Sequence, residues 1–174
     1  MQIELLSAAA FADAHDELAN LLRSCVDGGG SLGFLSPLPP SDAIDYWRSL
    51  APQIQSGVLA VFIAREESRI VGSAQIAFVS KPSGRHRAEV LKLMVHPSHR
   101  RRGIAARLMS ELERHARARS IRLLYLDTAE GPSGARDFYE TIGYTYAGGI
   151  PDYALDPDGR PAKNAIYFKL LSAR

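Results

Sequence analysis

Arg100-Arg101-Arg102-Gly103-Ile104-Ala105 joins an apolar run, residues 90–95, to an amphipathic run, residues 103–119. Strand, glycine-bearing loop and helix in that order build an anion site. The first turn of a helix carries N–H groups with no intrahelical partner. The helix dipole adds partial positive charge at the same place, so a phosphate or pyrophosphate is the natural guest. Gly103 admits a bulky anion to the backbone, and small Ala105 leaves the next amide uncovered. Backbone amides from Arg102 through Ile104 and Ala105 to Ala106 would hold a pyrophosphate, and Arg100, Arg101 and Arg102 would offer guanidiniums to outer phosphates. A nucleic-acid patch is the other reading of three adjacent arginines. They stand at a helix start, however, and no aromatic ladder accompanies them.

The elements that must position this loop are legible as an alternation of helix-like and strand-like runs. Residues 8–27 are predicted as one helix, with Phe11, Ala14, Leu18, Leu21, Leu22 and Cys25 at helical spacing and Gly28, Gly29 and Gly30 as its stop. A loop then runs to Pro40. Loops of that length are uncommon unless functional or disordered, and Phe34 and Leu35 favour an ordered lid or rim. Ser41 is read as the N-cap of a second helix, residues 42–55, carrying Ile44, Trp47 and Leu50. Residues 58–64 and 70–79 are read as a hairpin across Glu66, Glu67 and Ser68. Residues 81–84 are a turn, and residues 89–95 a third strand. Residues 103–119 form a helix with Ile104, Leu108, Met109, Leu112 and Ala116 on one side, followed by a short strand at 123–126. That crossover makes a right-handed parallel unit. A short helix at 134–142 ends at Gly143, residues 156–159 turn, and residues 165–171 alternate as a last strand. The expected fold class is α/β (α+β), a mixed sheet flanked by helices.

The 174 residues point to one domain able to bury a full core. Within it, residues 1–57 supply helices and a loop, and residues 58–171 the sheet. A hydrophobic fraction of 46% and a net charge of +2 are ordinary for a soluble protein and create no field that demands nucleic acid. A single cysteine, Cys25, excludes an internal disulfide and fits a reducing, cytoplasmic home. It falls on an apolar helix face, as a buried structural thiol rather than a reactive one. No apolar run approaches the roughly 20 residues of a membrane span. Met1-Gln2-Ile3-Glu4 has no basic stretch, so no signal peptide is expected. His96 and His99 flank Pro97 without a third ligand, and His15, His86 and His115 are scattered, so no metal is expected.

Leu93-Met94-Val95-His96-Pro97, followed by Arg100-x-x-Gly103-x-Ala105, resembles the acyl-CoA signature of the GNAT N-acetyltransferase superfamily. Ala135-x-x-Phe138-Tyr139-Glu140-x-x-Gly143-Tyr144 resembles that superfamily's second marker, in the expected order and at the expected separation. A closer resemblance is to the tabtoxin-resistance acetyltransferases. It rests on Gly29-x-Ser31-x-Gly33-Phe34, Arg87-Ala88-Glu89-Val90-x-Lys92-Leu93-Met94-Val95, Leu126-Asp127-Thr128, Pro157-Asp158-Gly159-Arg160 and Ala165-Ile166-Tyr167-Phe168-Lys169, and spans nearly the whole chain. The resemblance implies the GNAT fold, a mixed but mostly antiparallel central sheet with a βαβ acyl-CoA unit. It also implies acetyl-CoA as donor, and as acceptor the amino group of a small amino-acid-like or toxin-like molecule. Related enzymes often dimerise, which makes a homodimer an expectation. Many members carry a cofactor-contacting Asn seven residues before the tyrosine matched by Tyr139. Here that position is Pro132 with Ser133 beside it, so either Ser133 substitutes or the cofactor is held without that contact.

Acetyl transfer from a thioester requires a neutral amine. A primary amine of pKa about 10.4 is neutral in only about one part in 2,500 at pH 7, a deficit of about 4.6 kcal/mol. A positioned base recovers part of it. Glu89, six residues before Val95, resembles in placement the catalytic glutamate of histone-type members. Without a bulge it would share a face with Leu91, Leu93 and Val95, whose apolar surroundings would raise its pKa. The bland reading is a surface glutamate pairing Arg87 or Lys92. Asp127, ending the neighbouring strand, either assists Glu89, binds the acceptor's ammonium, or caps the next loop. Tyr139 is the candidate acid for the departing thiolate, against a plain core tyrosine beside Phe138 and Ile142. The resemblance places backbone groups of Leu93, Met94 and Val95 against the pantetheine arm. It places Ser31, Gly33, Phe34, Asp127 and Tyr153 around the acceptor. An acetyltransferase for protein lysines or N-termini and a non-catalytic acyl-CoA-binding module are the competing readings. The dispersed acidic residues argue against the first, and the joint presence of Glu89, Asp127 and Tyr139 against the second.

Overall fold

Hydrophobic runs with strand-like alternation come together as one seven-stranded sheet in the computed structural model of the chain, which describes residues 1–129 and 135–171. In chain order the strands are β1 (Gln2–Leu5), β2 (Leu59–Glu66), β3 (Arg69–Phe78), β4 (Arg87–Val95), β5 (Leu123–Ala129), β6 (Thr145–Gly148), β7 (Ala154–Leu155), β8 (Pro161–Ala162) and β9 (Asn164–Leu170). The helices are α1 (Ala8–Asp13), α2 (His15–Asp27), α3 (Pro40–Ser49), α4 (Ala51–Gln55), α5 (Ile104–Ala118) and α6 (Ala135–Thr141). The sheet order is β1-β2-β3-β4-β5-β9-β6, while β7 and β8 pair separately as a small hairpin. Only β4 and β5 run parallel, with α5 as their crossover; every other neighbouring pair is antiparallel. The mixed, mostly antiparallel sheet and its βαβ unit match the expected fold class.

Each face of the sheet has its own core. One is built from α5, α6 and the residues they cover, among them Val71, Ala74, Ile76, Ala88, Val90, Leu124, Leu126 and Tyr167. The other is built from α1–α4 and the opposite face of β2 and β3, with Phe11, Leu18, Leu22, Trp47, Val61 and Ile63 almost fully buried. Gly72 lets α5 lie close to β3: a Cβ there would stand 3.1–3.2 Å from Leu108, Ile104 and the Met94 carbonyl.

Four local expectations need correction. Residues 8–27 are two helices, because the backbone turns at Ala14 (φ −94°, ψ 0°) and α1 and α2 pack on different partners, α4 and α3. Residues 42–55 also divide, at Leu50, where Pro52 cannot continue the hydrogen-bond ladder but suits the first turn of a new helix. Ser41 is not the cap of α3. Pro40 already lies in its first turn after Pro39, and Ser41 Oγ donates to Asp42 Oδ1 at 2.9 Å. The sheet also recruits β1 and β6, short strands whose half-exposed residues show no clear alternation.

A buried ion cluster ties α5, α6 and β9 together. Lys169 Nζ donates to both Glu113 oxygens at 2.7 and 2.8 Å and to the Ile142 carbonyl at 2.7 Å, and Arg117 reaches Glu113 at 3.3 Å. Glu113 is 6% exposed. Removing one partner of such a pair strands a buried charge. Glu113→Ala is therefore expected to lose about 3 kcal/mol in urea unfolding, and Glu113→Leu combined with Lys169→Met to recover most of that loss.

Candidate functional site

The site begins where two strands part. β4 and β5 pair only through Arg87–Leu123, Ala88–Leu124 and Glu89–Tyr125. Beyond these the ladder stops, leaving residues 90–95 without a partner on the β5 side and residues 126–129 without one on the β4 side. Unpaired strand edges of this kind accept an extended guest by main-chain hydrogen bonds. Leu93, Met94 and Val95 lie on this open edge.

A bulge sets which side chains reach the opening. Ser73 pairs with Met94 and Gln75 with Leu91, so Ala74 faces both Lys92 and Leu93, and Lys92 takes a left-handed φ of 49°. Glu89 and Leu91 therefore point away from α5, whereas Leu93 and Val95 pack on the α5 side. The expected common face of Glu89, Leu91, Leu93 and Val95 is corrected accordingly. Alternation along β5 puts Tyr125 and Asp127 on the Glu89 face, since Leu124 and Leu126 belong to the α5 core. Tyr125 Oη donates to Glu89 Oε2 at a long 3.5 Å. Burial raises the Glu89 pKa above the ordinary carboxylate value and the Asp127 charge raises it further, against weaker opposing effects of Tyr125 and Lys92. No ion pair within 4 Å joins Glu89 to Arg87 or Lys92 among the described residues.

Tyr139 lies across the sheet. It is buried in the α5-side core, its ring 5.5 Å from Tyr167 and 5.8 Å from Tyr144. Burial, then the Asp127 charge, push its phenol above the ordinary value. The two carboxylates and the phenol thus lie on opposite faces of the sheet.

At the end of β4 the chain turns through Pro97–His99 and Arg100–Arg102 into α5. Gly103 is the N-cap with φ 75°; no side chain caps the helix, and no acidic residue stands in its first turn. Nothing lies within 4 Å of where a Gly103 Cβ would be, so the turn is open. The N–H groups of Ile104, Ala105 and Ala106 precede the first intrahelical bond, Arg107 N–H to the Gly103 carbonyl at 3.2 Å. This arrangement fits a diphosphate. The guanidiniums are arranged differently from the expectation. Arg102 forms a two-pronged pair with Glu66 at 2.7 and 3.1 Å, and Arg100 Nε donates to the Val95 carbonyl at 3.3 Å. Arg101 is exposed at φ 62°. Ser133 and Pro132 lie outside the described residues.

The segment holding Ser31, Gly33 and Phe34 passes over Lys92. Phe34 packs edge-on against Tyr46 of α3 at 5.3 Å, and Ser36 N–H donates to the Pro157 carbonyl at 2.8 Å, fastening the roof to the turn between β7 and β8. Tyr153 stays 52% exposed beside that hairpin, its N–H donating to the Ala162 carbonyl, and does not join the cluster. Sequence reasoning missed Lys92, whose Nζ lies beneath Phe34 and Tyr46. The available signal was a lysine inside the otherwise apolar run 90–95. It also missed Gln75, buried, whose Oε1 accepts from Tyr46 Oη at 3.2 Å. Cys25 is buried with Sγ 3.4 Å from the Val95 carbonyl, and burial pushes its thiol up to about 11, an unreactive state. Among the described residues no three His, Cys, Asp or Glu side chains gather as metal ligands, and no helix is long and apolar enough to cross a membrane.

A raised Glu89 means that the fold favours its protonated form. That stabilising contribution is complete below the ordinary glutamate value of about 4.3 and disappears as pH rises through the raised value. Glu89→Gln is expected to melt above the unsubstituted protein at pH 7–8, with the gain vanishing in melts taken below about pH 4.

Comparison with known proteins bears on this geometry. The sequence model described as the Acetyltransferase (GNAT) family matches residues 32–144. An uncharacterised N-acetyltransferase from the hisH-hisA intergenic region of Azospirillum brasilense is 31% identical over 136 residues, 74% of this chain and 75% of that protein. The crystal structure of a ribosomal-protein-alanine N-acetyltransferase from Brucella melitensis superposes with a TM-score of 0.77 at 20% identity, covering 98% of this chain and 100% of that one. The YncA protein of Salmonella typhimurium, solved with its cofactor acetyl-CoA, superposes with a TM-score of 0.77 at 16% identity, covering 100% and 95%. At these identities the two structures speak for the fold.

Proposed function

Because the chain belongs to the GNAT acetyltransferase family, we propose that it transfers an acetyl group from acetyl-CoA to the amino group of a small, amino-acid-like molecule. The observation that carries this reading is the parted β4–β5 edge, with Glu89 and Asp127 on one face and Tyr139 on the other. The covering of Lys92 by Phe34, in a segment fastened through Ser36 to Pro157, supports a small acceptor over a protein surface. The resemblance to tabtoxin-resistance acetyltransferases supports the same class.

Acetyl-CoA supplies an activated acyl thioester. The chain's residues divide the remaining work. The open N–H groups of Ile104, Ala105 and Ala106 suit the diphosphate, and the unpaired edge at Leu93, Met94 and Val95 suits the amides of the pantetheine arm. Glu89 accepts the acceptor's proton, and its raised pKa makes it a better base than an exposed glutamate. Asp127, exposed on the same face, attracts the acceptor's ammonium. Tyr139 donates a hydrogen bond to the departing sulfur. Full proton transfer from a phenol above 10 to a thiolate of about 8.5 runs uphill by more than about 2 kcal/mol, so the hydrogen bond is its contribution.

The test is release of CoA thiol, followed with a thiol-reactive dye over amino acids, β-lactam-like amines and short peptides. Turnover is expected with the small amines. Turnover confined to peptides would replace this reading with a protein acetyltransferase, and tight acetyl-CoA binding without turnover would leave a binding module. Glu89→Gln is expected to lower kcat about a hundredfold or more and to erase the acidic limb of the pH profile. Tyr139→Phe is expected to lower kcat about tenfold with acetyl-CoA affinity retained.

A further inference from the structure

Lys92 is left without a task by the mechanism, yet the fold holds it in an uncommon state. It is the one non-glycine residue inside a strand that takes a positive φ, 49°, among the described residues. Such a conformation is strained and persists where its surroundings impose it. The side chain is half-buried. Its Nζ lies 5.3 Å from the centre of the Tyr46 ring, 5.9 Å from that of Phe34, and 3.7 Å from where a Gly33 Cβ would stand. Ring faces attract a cation but accept none of its three N–H donors as a carboxylate does. No carboxylate lies within ion-pair distance among the described residues; Asp127 and Glu89 act on Lys92 from further off. Burial depresses its pKa, outweighing both. Beside it Gln75, 1% exposed, has its Oε1 taken by Tyr46 and its Nε2 without a partner. An ordinary space-filling lysine extends its head into water. This one is folded beneath two aromatic rings and the roof segment, on the side of the cleft where the carboxylates stand.

Resting on the acetyltransferase reading above, we propose that Lys92 anchors a carboxylate of the acceptor. The substrate class is then a primary amine that also carries a carboxylate, its amine toward Glu89 and Asp127 and its acid group on Lys92 Nζ beneath Phe34 and Tyr46. The charges support this assignment. The amine meets two carboxylates, and the acid meets an ammonium whose donors no side chain has claimed. Phe34 and Tyr46 exclude water from the pair, which strengthens it. Lys92 is accordingly a specificity-determining residue.

The experiment compares α- and ω-amino acids with their methyl esters and with the corresponding decarboxylated amines, by CoA release, in the unsubstituted enzyme, Lys92→Met and Lys92→Arg. For the unsubstituted enzyme the acid is expected to exceed its ester in kcat/KM by about tenfold or more, chiefly through KM. Lys92→Met is expected to bring that ratio close to one while sparing the ester's rate and the acetyl-CoA affinity measured by calorimetry. Lys92→Arg is expected to restore part of it. Esters as good as acids in the unsubstituted enzyme, or equal losses for acid and ester in Lys92→Met, would overturn the assignment and leave the acetyltransferase reading standing. Turnover of none of these amines would overturn both. If Lys92→Met fails to fold, the acid-to-ester ratio of the unsubstituted enzyme and its change in Lys92→Arg still decide between these outcomes.

Discussion

The parting of β4 from β5 governs everything else in the site. A parallel pair closed along its full length would satisfy its own main-chain groups and leave no room for a guest. Here the ladder ends at Glu89 and Tyr125. Buried peptide groups are almost always paired, so two inner strand edges facing each other without hydrogen bonds mark a place shaped for a third strand-like partner. The bulge at Lys92 adds to the divergence. It inserts one residue opposite Ala74, bends β4, and reverses the facing of every side chain after it. Glu89 before the bulge and Met94 after it consequently face the α1–α4 layer, while Leu93 and Val95 turn to α5.

This constraint also explains how the two ends of the site were legible to different degrees in the sequence. The diphosphate end is local. Gly103, small Ala105 and the apolar stripe of α5 lie within one continuous stretch, so spacing alone revealed the turn and the helix. The partners of its arginines were not legible, because Arg102 meets Glu66 across 36 positions and Arg100 turns to a backbone carbonyl. At the carboxylate end, Glu89 and Asp127 could be named from their places on two strands. Their common face could not, because a period-2 argument fails at a bulge, and a bulge caused by a lysine rather than a glycine leaves no local signature. Lys92 was visible only as a polar interruption in the apolar run 90–95. Its meaning depends on Phe34 and Tyr46, which reach it from outside the sheet. The short edge strands β1 and β6 and the two-residue strands β7 and β8 are held by pairing with the rest of the molecule rather than by their own pattern.

The roof over the acceptor side has a similar non-local origin. Asp27 at the end of α2 accepts from Ser36 Oγ at 2.9 Å and from Leu38 N–H at 3.1 Å, and Ser36 N–H reaches the Pro157 carbonyl. Leu38 is buried and carries the segment back into the α1–α4 core. A loop of prolines, serines and glycines thus becomes an ordered wall through three hydrogen bonds and one buried leucine. Phe34 is delivered to Tyr46 as a result. The N-terminal helices, which on sequence pattern alone were packing elements, hold this segment through Asp27 of α2 and Tyr46 of α3.

Proton transfer from the acceptor then becomes a question of how two distant pKa values are brought together. An exposed glutamate near 4.3 and a primary ammonium near 10.4 differ by about 8 kcal/mol, too much for an efficient base. The site narrows this gap from the carboxylate side. Burial and Asp127 lift Glu89. Lys92 lowers Glu89 only weakly, the least of the effects acting on that carboxylate. The ammonium of Lys92, beneath two rings, owes its place in the cleft to the same bulge, which turned it away from α5.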